Sequence, residues 1–239
     1  MKLSLDKKLS IIIPCYNEEN NLNNLISQCV KELCKNNIEV ILVDNGSNDG
    51  TSSILKRNKS LHPLLKSYRL EKNMGYGGGI IFGLSKSKSD FLGWTHADLQ
   101  TSPEDVLKGY ELIKKTSGFV KGTRIKRSLL PWLFSAGMAI FESIIFKTML
   151  WEINAQPKIF SREFYESWEN PPNDYSLDLY AYVMAKKHNL VTQKFKVLFP
   201  ERFSGQSSWN TGIKSKLILA IKTIKYSLEL RKSSLKKNY

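Results

Sequence analysis

Hydrophobic and polar positions follow two periods along the chain, and each period predicts a different secondary structure. Short apolar runs at residues 9–14, 38–43 and 91–95 are continuous, which is typical of parallel strands buried on both faces. Residues 18–33 carry apolar side chains every third or fourth position, the spacing of one helical face. Residues 102–115 open with a serine, a proline and two acids, which is typical of a helix start. The first half of the chain therefore alternates strand and helix.

The remaining segments continue the alternation of strands and helices, except for one apolar stretch after residue 125. Further strands are predicted at residues 64–69, 119–123 and 191–198, and further helices at residues 49–58, 75–85 and 177–187. From residue 125 to residue 151 the pattern changes to apolar helices. Alternating strands and helices predict an α/β fold with a mostly parallel sheet and flanking helices.

Polar residues collect where the first, second and fourth predicted strands end. Residues 14–18 form a proline-bounded polar loop, residues 44–51 an acidic, glycine-rich turn, and residues 96–100 a third polar segment. In an open parallel sheet, ligands bind at the carboxyl ends of the strands, so these loops form the candidate site. Asp44 can accept hydrogen bonds from a uracil or guanine edge, or it can act only as an Asx-turn residue before Gly46.

The net charge of the chain indicates which classes of binding partner to expect. The 239 residues carry a formal net charge of +14, and the segment from Lys214 onward supplies half of it. A balance of this kind favours nucleic acid, an anionic membrane surface or phosphorylated substrates. The basic segment lacks the interleaved aromatic residues of a single-strand binding surface, so we expect no nucleic acid partner. The three cysteines contain no C-x-x-C pair, which predicts reduced thiols in a cytoplasmic protein rather than disulfides or a zinc site.

Two segments are candidates for contact with a membrane. Residues 129–151 are rich in apolar side chains, yet they contain Glu142 and Lys147, which are costly near the centre of a bilayer. We therefore expect buried or interfacial helices there rather than a span. Residues 213–231 predict an amphipathic helix with lysines beside an apolar stripe, either a membrane-surface anchor or a terminal helix packed on the domain. The expected domains are residues 1–210 and a basic C-terminal helix at residues 211–239, and residues 1–8 lack the apolar segment of a signal peptide.

The strand-end motifs, residues 10–19 together with residues 43–51, resemble the start of family 2 glycosyltransferases. The resemblance implies the GT-A fold, a Rossmann-like fold of nucleotide-diphospho-sugar transferases. It also implies which residues bind a UDP- or GDP-sugar donor. These are Pro14, Tyr16, Glu18, Asp44, Asp98 and Arg124, with Asn73 and Gly75 in a supporting turn.

Residues 96–100 match the D-x-D metal motif of that family, with His96 in place of the first aspartate. The resemblance implies that Asp98, His96 and Gln100 hold a divalent Mn²⁺ or Mg²⁺ ion on the diphosphate. Neutral imidazole suits Mn²⁺ better than Mg²⁺. The alternative is that His96 is an ordinary polar loop residue.

The resemblance is looser after residue 125, where it implies further candidates. Glu152 matches an acid of the family, and Arg202, with Gly205 and Ser207, matches its Arg-x-x-Gly-x-Ser loop near the diphosphate. Asp178 is a candidate general base, whereas Asp174 is better explained as a helix N-cap. The expected catalytic residues are Asp98, Glu152, Asp178 and Arg202.

The resemblance is strongest to the dolichyl- and polyprenyl-phosphate sugar transferases. It implies an inverting enzyme that moves a sugar from a nucleotide-sugar donor to a lipid-phosphate acceptor, peripherally attached to the cytoplasmic face of the membrane. Two alternatives stay open. One is a transferase of the same family acting on a saccharide hydroxyl in surface polysaccharide assembly, and the other is a non-catalytic membrane-surface binding protein with the same fold.

Overall fold

The computed structural model describes residues 8–200 and 213–236, and in this part of the chain seven strands form one sheet. The order across the sheet is β3-β2-β1-β4-β6-β5-β7, and β3, β2, β1 and β4 are mutually parallel. The predicted α/β class with a mostly parallel sheet is confirmed. The strands are β1 (Leu9–Cys15), β2 (Glu39–Asp44), β3 (Leu65–Arg69), β4 (Phe91–Trp94), β5 (Phe119–Ile125), β6 (Lys158–Ser161) and β7 (Thr192–Leu198).

Helices cover both faces of this sheet. They are α1 (Glu19–Gln28), α2 (Thr51–Arg57), α3 (Gly75–Lys86), α4 (Pro103–Thr116), α5 (Leu129–Phe146), α6 (Arg162–Glu166), α7 (Leu177–Lys187) and α8 (Ile213–Lys236). The first predicted helix ends in a π-helical turn at Cys29–Leu33. The apolar segment at residues 125–151 forms one helix, α5, and then a reversing connection, which corrects the prediction of several helices there.

Strand β6 is absent from the sequence prediction. It runs antiparallel to both of its neighbours, β4 and β5, and separates them in the sheet. Its four residues, Lys158 to Ser161, are too few and too polar at the start to produce a strand pattern. This insertion places Lys158 beside Lys121 of β5, and both lysines are fully buried.

The core lies in two layers, one on each face of the sheet. Ile11 and Ile13 of β1 face one layer, while Ile12 faces the other, because successive side chains of a strand point to opposite faces. The first layer also contains Leu22 of α1, and the second contains Tyr180 of α7. The continuous apolar runs in the sequence therefore belong to strands that are buried on both sides.

Helices α5 and α8 pack against each other, and each leaves apolar side chains exposed. On α8, Ser227 is fully buried, whereas Ile221 and Leu228 of the predicted apolar stripe are 57% and 45% exposed. On α5, Ile140 and Ile144 are 57% and 71% exposed. Helix α8 thus packs on the domain through one face and leaves Ile221 and Leu228 of the predicted stripe exposed. Within the described residues, no helix combines the length and the apolar character that a membrane crossing requires.

Candidate functional site

A cavity of about 540 Å³ opens at the carboxyl ends of β1, β2 and β4 and extends to the apolar helix α5 and the amphipathic helix α8. This volume is in the range of small-molecule binding sites. Most of the residues predicted to bind nucleotide or metal line it, and so do side chains of α5. The predicted residues on its wall are Pro14, Tyr16, Glu18, Asn73, His96, Asp98, Gln100, Arg124 and Asp178.

The loops after β1 and β2 are held together by hydrogen bonds between backbone and side chains. The Asn17 N–H donates to Ser47 Oγ at 3.0 Å, and the Asn48 N–H donates to Asn17 Oδ1 at 2.9 Å. The Glu18 N–H donates to Thr51 Oγ1 at 2.8 Å. These bonds fix the backbone of both loops, so Glu18 reaches the cavity from a rigid support.

Asp44 is not among the side chains that line the cavity. It is 1% exposed, its Oδ1 accepts a hydrogen bond from the Ser47 N–H at 2.9 Å, and its Oδ2 lies 3.6 Å from Arg69 Nη1. Both contacts are with protein groups, and the first lies within the turn that follows β2. A direct nucleotide contact by Asp44 stays a prediction.

Its neighbour Asn45 does line the cavity and joins it to the turn before α3. Asn45 Nδ2 donates to the Gly75 carbonyl at 2.8 Å, and Asn45 Oδ1 accepts from the Met74 N–H at 3.0 Å. An aspartate could not make the first bond because a carboxylate has no donor. Gly75 has φ +80°, and a Cβ there would lie 2.4 Å from the Asn173 carbonyl oxygen, so this turn requires glycine. Asn73 Oδ1 completes the turn by accepting from the Gly75 N–H at 2.8 Å.

The loop after β4 presents His96 and Asp98 to the cavity. Asp98 is 4% exposed, and its Oδ1 accepts a hydrogen bond from the Gln100 N–H at 3.1 Å. Leu99 between them has φ 58°, an unusual backbone conformation for a bulky residue. The His96 ring lies 5.8 Å from the Tyr76 ring, and burial lowers the pKa of His96 although Asp98 lies close by. A lowered pKa leaves the imidazole neutral near pH 7, which is the form that binds metals.

Asp178 of α7 accepts hydrogen bonds from several buried donors at the cavity wall. Its Oδ1 accepts from Lys158 Nζ at 2.5 Å, Gln156 Nε2 at 2.8 Å and Trp94 Nε1 at 3.2 Å, and its Oδ2 accepts from Tyr76 Oη at 3.4 Å. Lys158 is fully buried, and burial lowers its pKa while Asp178 opposes that shift. Asp178 is therefore the counter-ion of a buried ammonium group.

Glu152 lies between two arginines next to the start of α5. Its carboxylate accepts from Arg124 Nε at 2.6 Å and from Arg127 Nη1 at 2.7 Å. Arg127 Nη2 also donates to Ser135 Oγ at 2.8 Å and to the Pro131 carbonyl at 3.1 Å. Burial raises the pKa of Glu152, but the two arginines outweigh it and hold that pKa below its ordinary value. Both arginines line the cavity, whereas Glu152 does not.

Buried Lys121 holds the backbone that carries Glu152. Its Nζ donates to the Glu152 carbonyl at 2.6 Å, the Trp151 carbonyl at 3.2 Å and the Gly122 carbonyl at 3.0 Å. Burial lowers its pKa well below the ordinary value, and nearby Lys158 lowers it further. Glu152 itself has φ 52°, so the lysine stabilises an unusual backbone turn at this point.

The model of the family described as "Glycosyl transferase family 2" matches residues 10–170 of this chain. The chain belongs to glycosyl transferase family 2. The matched range begins in β1 and includes the loops after β2 and β4, which carry the motifs that predicted this family from the sequence.

Curated relatives within this family are identical to the chain at about a third of the aligned residues. The chain is 36% identical over 117 residues to a dolichol-phosphate mannosyltransferase of Pyrococcus furiosus, covering 49% of this chain and 33% of the relative. It is 33% identical over 118 residues to an undecaprenyl-phosphate 4-deoxy-4-formamido-L-arabinose transferase of Aeromonas hydrophila, covering 45% and 36%. The chain thus spans well under half the length of these relatives.

Solved structures of glycosyltransferases share the fold at low sequence identity. The glucosyl-3-phosphoglycerate synthase of Mycobacterium tuberculosis, solved with Mn²⁺ and UDP, superposes with a TM-score of 0.76 at 14% identity. That match covers 96% of this chain and 81% of the synthase. A mannosyltransferase of Pyrobaculum calidifontis, solved with GDP-mannose and Mn²⁺, gives a TM-score of 0.61 at 20% identity, covering 82% and 58%. The predicted GT-A fold is confirmed.

The predicted divalent metal needs ligands, and the residues of the cavity can be checked for side chains that would supply them. Among the described residues there is no cluster of three or more His, Cys, Asp or Glu side chains that could hold a metal. Asp98 and His96 nevertheless line the same cavity, and a carboxylate with a neutral imidazole suits Mn²⁺. The third predicted ligand, Gln100, donates its Nε2 to the Pro200 carbonyl at 2.9 Å. Within the described residues, Asp98 and His96 are therefore the two predicted ligands that would hold such an ion.

Some residues of the site were not predicted from the sequence, and some predicted residues lie outside the described part of the chain. Arg127, Tyr76 and Asn45 line the cavity without having been predicted. Arg127 follows Arg124 by three residues, a spacing that could have suggested a pair of cations. Asp174 does not cap α7: the cap residue is Ser176, and Asp174 Oδ1 accepts from the Ser176 N–H at 2.9 Å. Arg202, Gly205 and Ser207 lie outside the described residues, so their predicted roles stay predictions.

Proposed function

We propose that the chain transfers a sugar, with inversion, from a UDP- or GDP-sugar to a polyprenyl phosphate at the cytoplasmic face of a membrane. The observation that carries this proposal is the set of residues that line the cavity described above. The cavity joins a carboxylate and an imidazole at the strand ends to a pair of largely buried arginines beside an apolar helix. The relatives named above supply the lipid-phosphate chemistry by analogy. Because the chain spans only part of their length, their acceptors are part of the proposal.

The donor end of the cavity is assigned to the strand-end loops. Pro14, Tyr16 and Glu18 would hold the base and the ribose, and His96 with Asp98 would hold a Mn²⁺ or Mg²⁺ ion. When bound, such an ion neutralises charge that develops on the leaving diphosphate. The residues of the chain then have to orient the sugar and exclude water. The rigid, hydrogen-bonded loops around Asn17 and Ser47 support that role.

The acceptor end is assigned to the two arginines. Arg124 and Arg127 are 10% and 7% exposed, and Glu152 is the one acid among the described residues that forms an ion pair with them, which leaves one positive charge unbalanced in this group. A phosphate dianion would match the forked guanidinium donors and the excess charge. Apolar side chains of α5, including Phe134 and Met138, continue the wall from this point and suit a hydrocarbon chain.

The protonation state of the acceptor explains why no free base is needed in this proposal. A phosphate monoester is largely ionised near pH 7, so it attacks without losing a proton, whereas a sugar hydroxyl needs a base. The two predicted carboxylates, Asp178 and Glu152, are engaged by lysine and arginine. We assign both of them to positioning roles, in place of the predicted catalytic ones.

Attachment to an anionic membrane surface is supported by the outward faces of α5 and α8. Exposed Ile140, Ile144, Ile221 and Leu228 would enter the acyl boundary. The lysines of α8, including exposed Lys222 and Lys225, would contact anionic headgroups, each worth about 1 kcal/mol near the surface. This orientation would bring the apolar end of the cavity toward the lipid from which the acceptor comes.

Two other functions remain to be excluded by experiment. A saccharide hydroxyl as acceptor is compatible with the carboxylate of Asp178 on the cavity wall. A non-catalytic binding protein is compatible with His96 in place of the first motif aspartate. No observation supports either of these two functions as directly as the arginine pair supports a phosphate acceptor.

The deciding assay supplies radiolabelled UDP- and GDP-sugars with Mn²⁺ or Mg²⁺ and compares three acceptors. These are undecaprenyl phosphate, the uncharged alcohol undecaprenol, and a panel of saccharides. Transfer to the phosphate but not to the alcohol or the saccharides is expected. Transfer to a saccharide alone would support the second candidate, and nucleotide binding without transfer to any acceptor would support the third.

A further inference from the structure

Glu142 is a buried acid that the proposed transfer does not use. It lies on the apolar helix α5, is fully buried, and lines the cavity at the end formed by α8. Ser227 of α8, also fully buried, lies opposite, with Ser227 Oγ at 2.8 Å from Glu142 Oε1. Ala220 and Thr223 of α8 line the same part of the cavity. The contact between Glu142 and Ser227 therefore joins two helices that form one wall.

The hydrogen bonds at this contact depend on whether Glu142 carries a proton. Ser227 Oγ lies 2.8 Å from Glu142 Oε1 and also 2.8 Å from the Thr223 carbonyl oxygen. A hydroxyl has only one hydrogen to donate. If Ser227 donates to Thr223, the contact with Glu142 is a hydrogen bond only when the carboxyl group donates to Ser227. A neutral Glu142 thus satisfies both contacts, whereas an ionised one permits only one of them at a time.

Among the described residues, no ion pair favours the ionised form of Glu142. Glu142 Oε2 is buried with no hydrogen-bond partner among the described residues. Within the same part of the chain, no basic side chain of the neighbouring elements forms an ion pair with Glu142. The basic side chains are Lys147 after α5, Lys222, Lys225 and Arg231 on α8, and Arg127 on the cavity wall. The other titratable groups are Tyr226 and Glu229 on α8 and Asp178 on α7, and none of these carries a positive charge. Burial raises the pKa of Glu142 to about 7, and the Ser227 hydrogen bond opposes that shift.

We propose that Glu142 and Ser227 form a protonation-dependent latch that fastens α8 onto α5 and closes the cavity wall. The latch is closed when Glu142 is neutral and weakened when Glu142 is ionised. Opening would remove Ala220 and Thr223 from the wall and expose the α5 side of the cavity. This device does not depend on the identity of the donor or the acceptor.

The direction of the pH dependence follows from linkage. When α8 is undocked, Glu142 meets water and titrates near its ordinary value of 4.5, and when α8 is docked it titrates near 7. Because docking raises the pKa of this carboxyl group, the docked state of α8 is most stable below pH 4.5 and loses stability as the pH rises toward 7. The docking constant should therefore fall by up to about tenfold for each pH unit between those values, and not change further above them.

Hydrogen exchange of the full chain, followed by mass spectrometry, tests this latch. Exchange of peptides covering residues 218–232 is measured at several pH values from about 5 to 8 and corrected for the intrinsic rate. In the wild type, protection of α8 should decrease by at least about tenfold across this range. Glu142→Gln stays neutral and should show no such decrease. The matched control Glu229→Gln, which removes an exposed acid from α8 itself, should behave like the wild type.

Peptides from β1 report whether a variant keeps its global fold. If Glu142→Gln and the wild type lose α8 protection with the same pH dependence while β1 stays protected, the proposal is wrong. Should Glu142→Gln lose the protection of β1, Glu142→Met decides instead. It carries no ionisable group, so its α8 protection should not depend on pH, and a decrease as large as that of the wild type would also overturn the latch.

Discussion

Two parts of the cavity wall are built from different interactions. At the strand-end loops, neutral groups such as Asn17 and Ser47 exchange hydrogen bonds with backbone amides. Elsewhere on the cavity wall, buried charges carry the structure, with Glu152 between two arginines near α5 and Asp178 paired with Lys158 beside Trp94 of β4. Neutral hydrogen bonds hold a backbone in place at low cost, while buried ion pairs are costly unless every charge is matched. The comparison predicts that substitutions in the charged part will be far less tolerated.

The largest effect is expected at the pair of Asp178 and Lys158, which are 4% and 0% exposed. Replacing Asp178 by Asn leaves a buried ammonium without its carboxylate, and we expect a loss of about 3–5 kcal/mol in the free energy of unfolding. The double variant Asp178→Asn with Lys158→Met removes both charges and should recover most of that loss. Denaturant unfolding measures both. A double variant no more stable than Asp178→Asn would show that the ion pair is not what Asp178 provides.

A smaller effect is expected at Glu152, because Gln in its place keeps one hydrogen-bond acceptor for the arginines. Glu152→Gln should cost about 1–3 kcal/mol near pH 7. The pKa of Glu152 is lowered in the folded chain, so its ionisation contributes stability above the ordinary carboxyl value of 4.5. The difference in unfolding free energy between wild type and Glu152→Gln should therefore shrink as the pH falls below that value. A difference that grows on acidification would contradict the counter-ion role.

The smallest effect is expected on the outward face of α8. The double variant Ile221→Ser with Leu228→Ser should weaken binding to anionic vesicles by about tenfold, because it removes apolar side chains that would enter the bilayer. Leu61, which is 55% exposed and belongs to neither helix, provides the control substitution Leu61→Ser. Vesicle sedimentation at low and high salt is the measurement. Equal binding by the double variant and the wild type would remove this face from the membrane contact.

The same comparison explains what the sequence could predict. The strand-end loops lie next to strongly patterned strands, so the positions of Pro14, Glu18 and Asp98 on the cavity followed from local pattern and family resemblance. The charged part depends on β6, a four-residue strand that inserts antiparallel between β4 and β5. Local patterns contain no information about that insertion, which places Lys158 beside Lys121. The sequence alone therefore could not show which group pairs with each buried charge.

Asp44 and Glu152 illustrate a second limit. The sequence shows that both are acids near the candidate site, but it cannot show whether a carboxylate faces ligand or protein. In the structure, the contacts of Asp44 are with Ser47 and Arg69, and those of Glu152 are with Arg124 and Arg127. The groups that surround each carboxylate distinguish a ligand contact from a counter-ion, and they are a property of the packed fold and not of the local sequence.

The central claim is that one cavity holds a nucleotide at the strand ends and a lipid phosphate at the arginine pair. The most direct measurement is calorimetric binding of UDP or GDP with Mn²⁺, and separately of farnesyl phosphate, to Asp98→Asn and Arg127→Ala. Asp90→Asn, at the exposed amino end of the same strand β4, is the matched control. We predict that Asp98→Asn weakens only nucleotide binding, and that Arg127→Ala weakens only farnesyl phosphate binding, by about 10–100-fold for the lost charge-assisted hydrogen bonds. Loss of the same ligand in both variants, or unchanged farnesyl phosphate binding in Arg127→Ala, would contradict this division of the cavity.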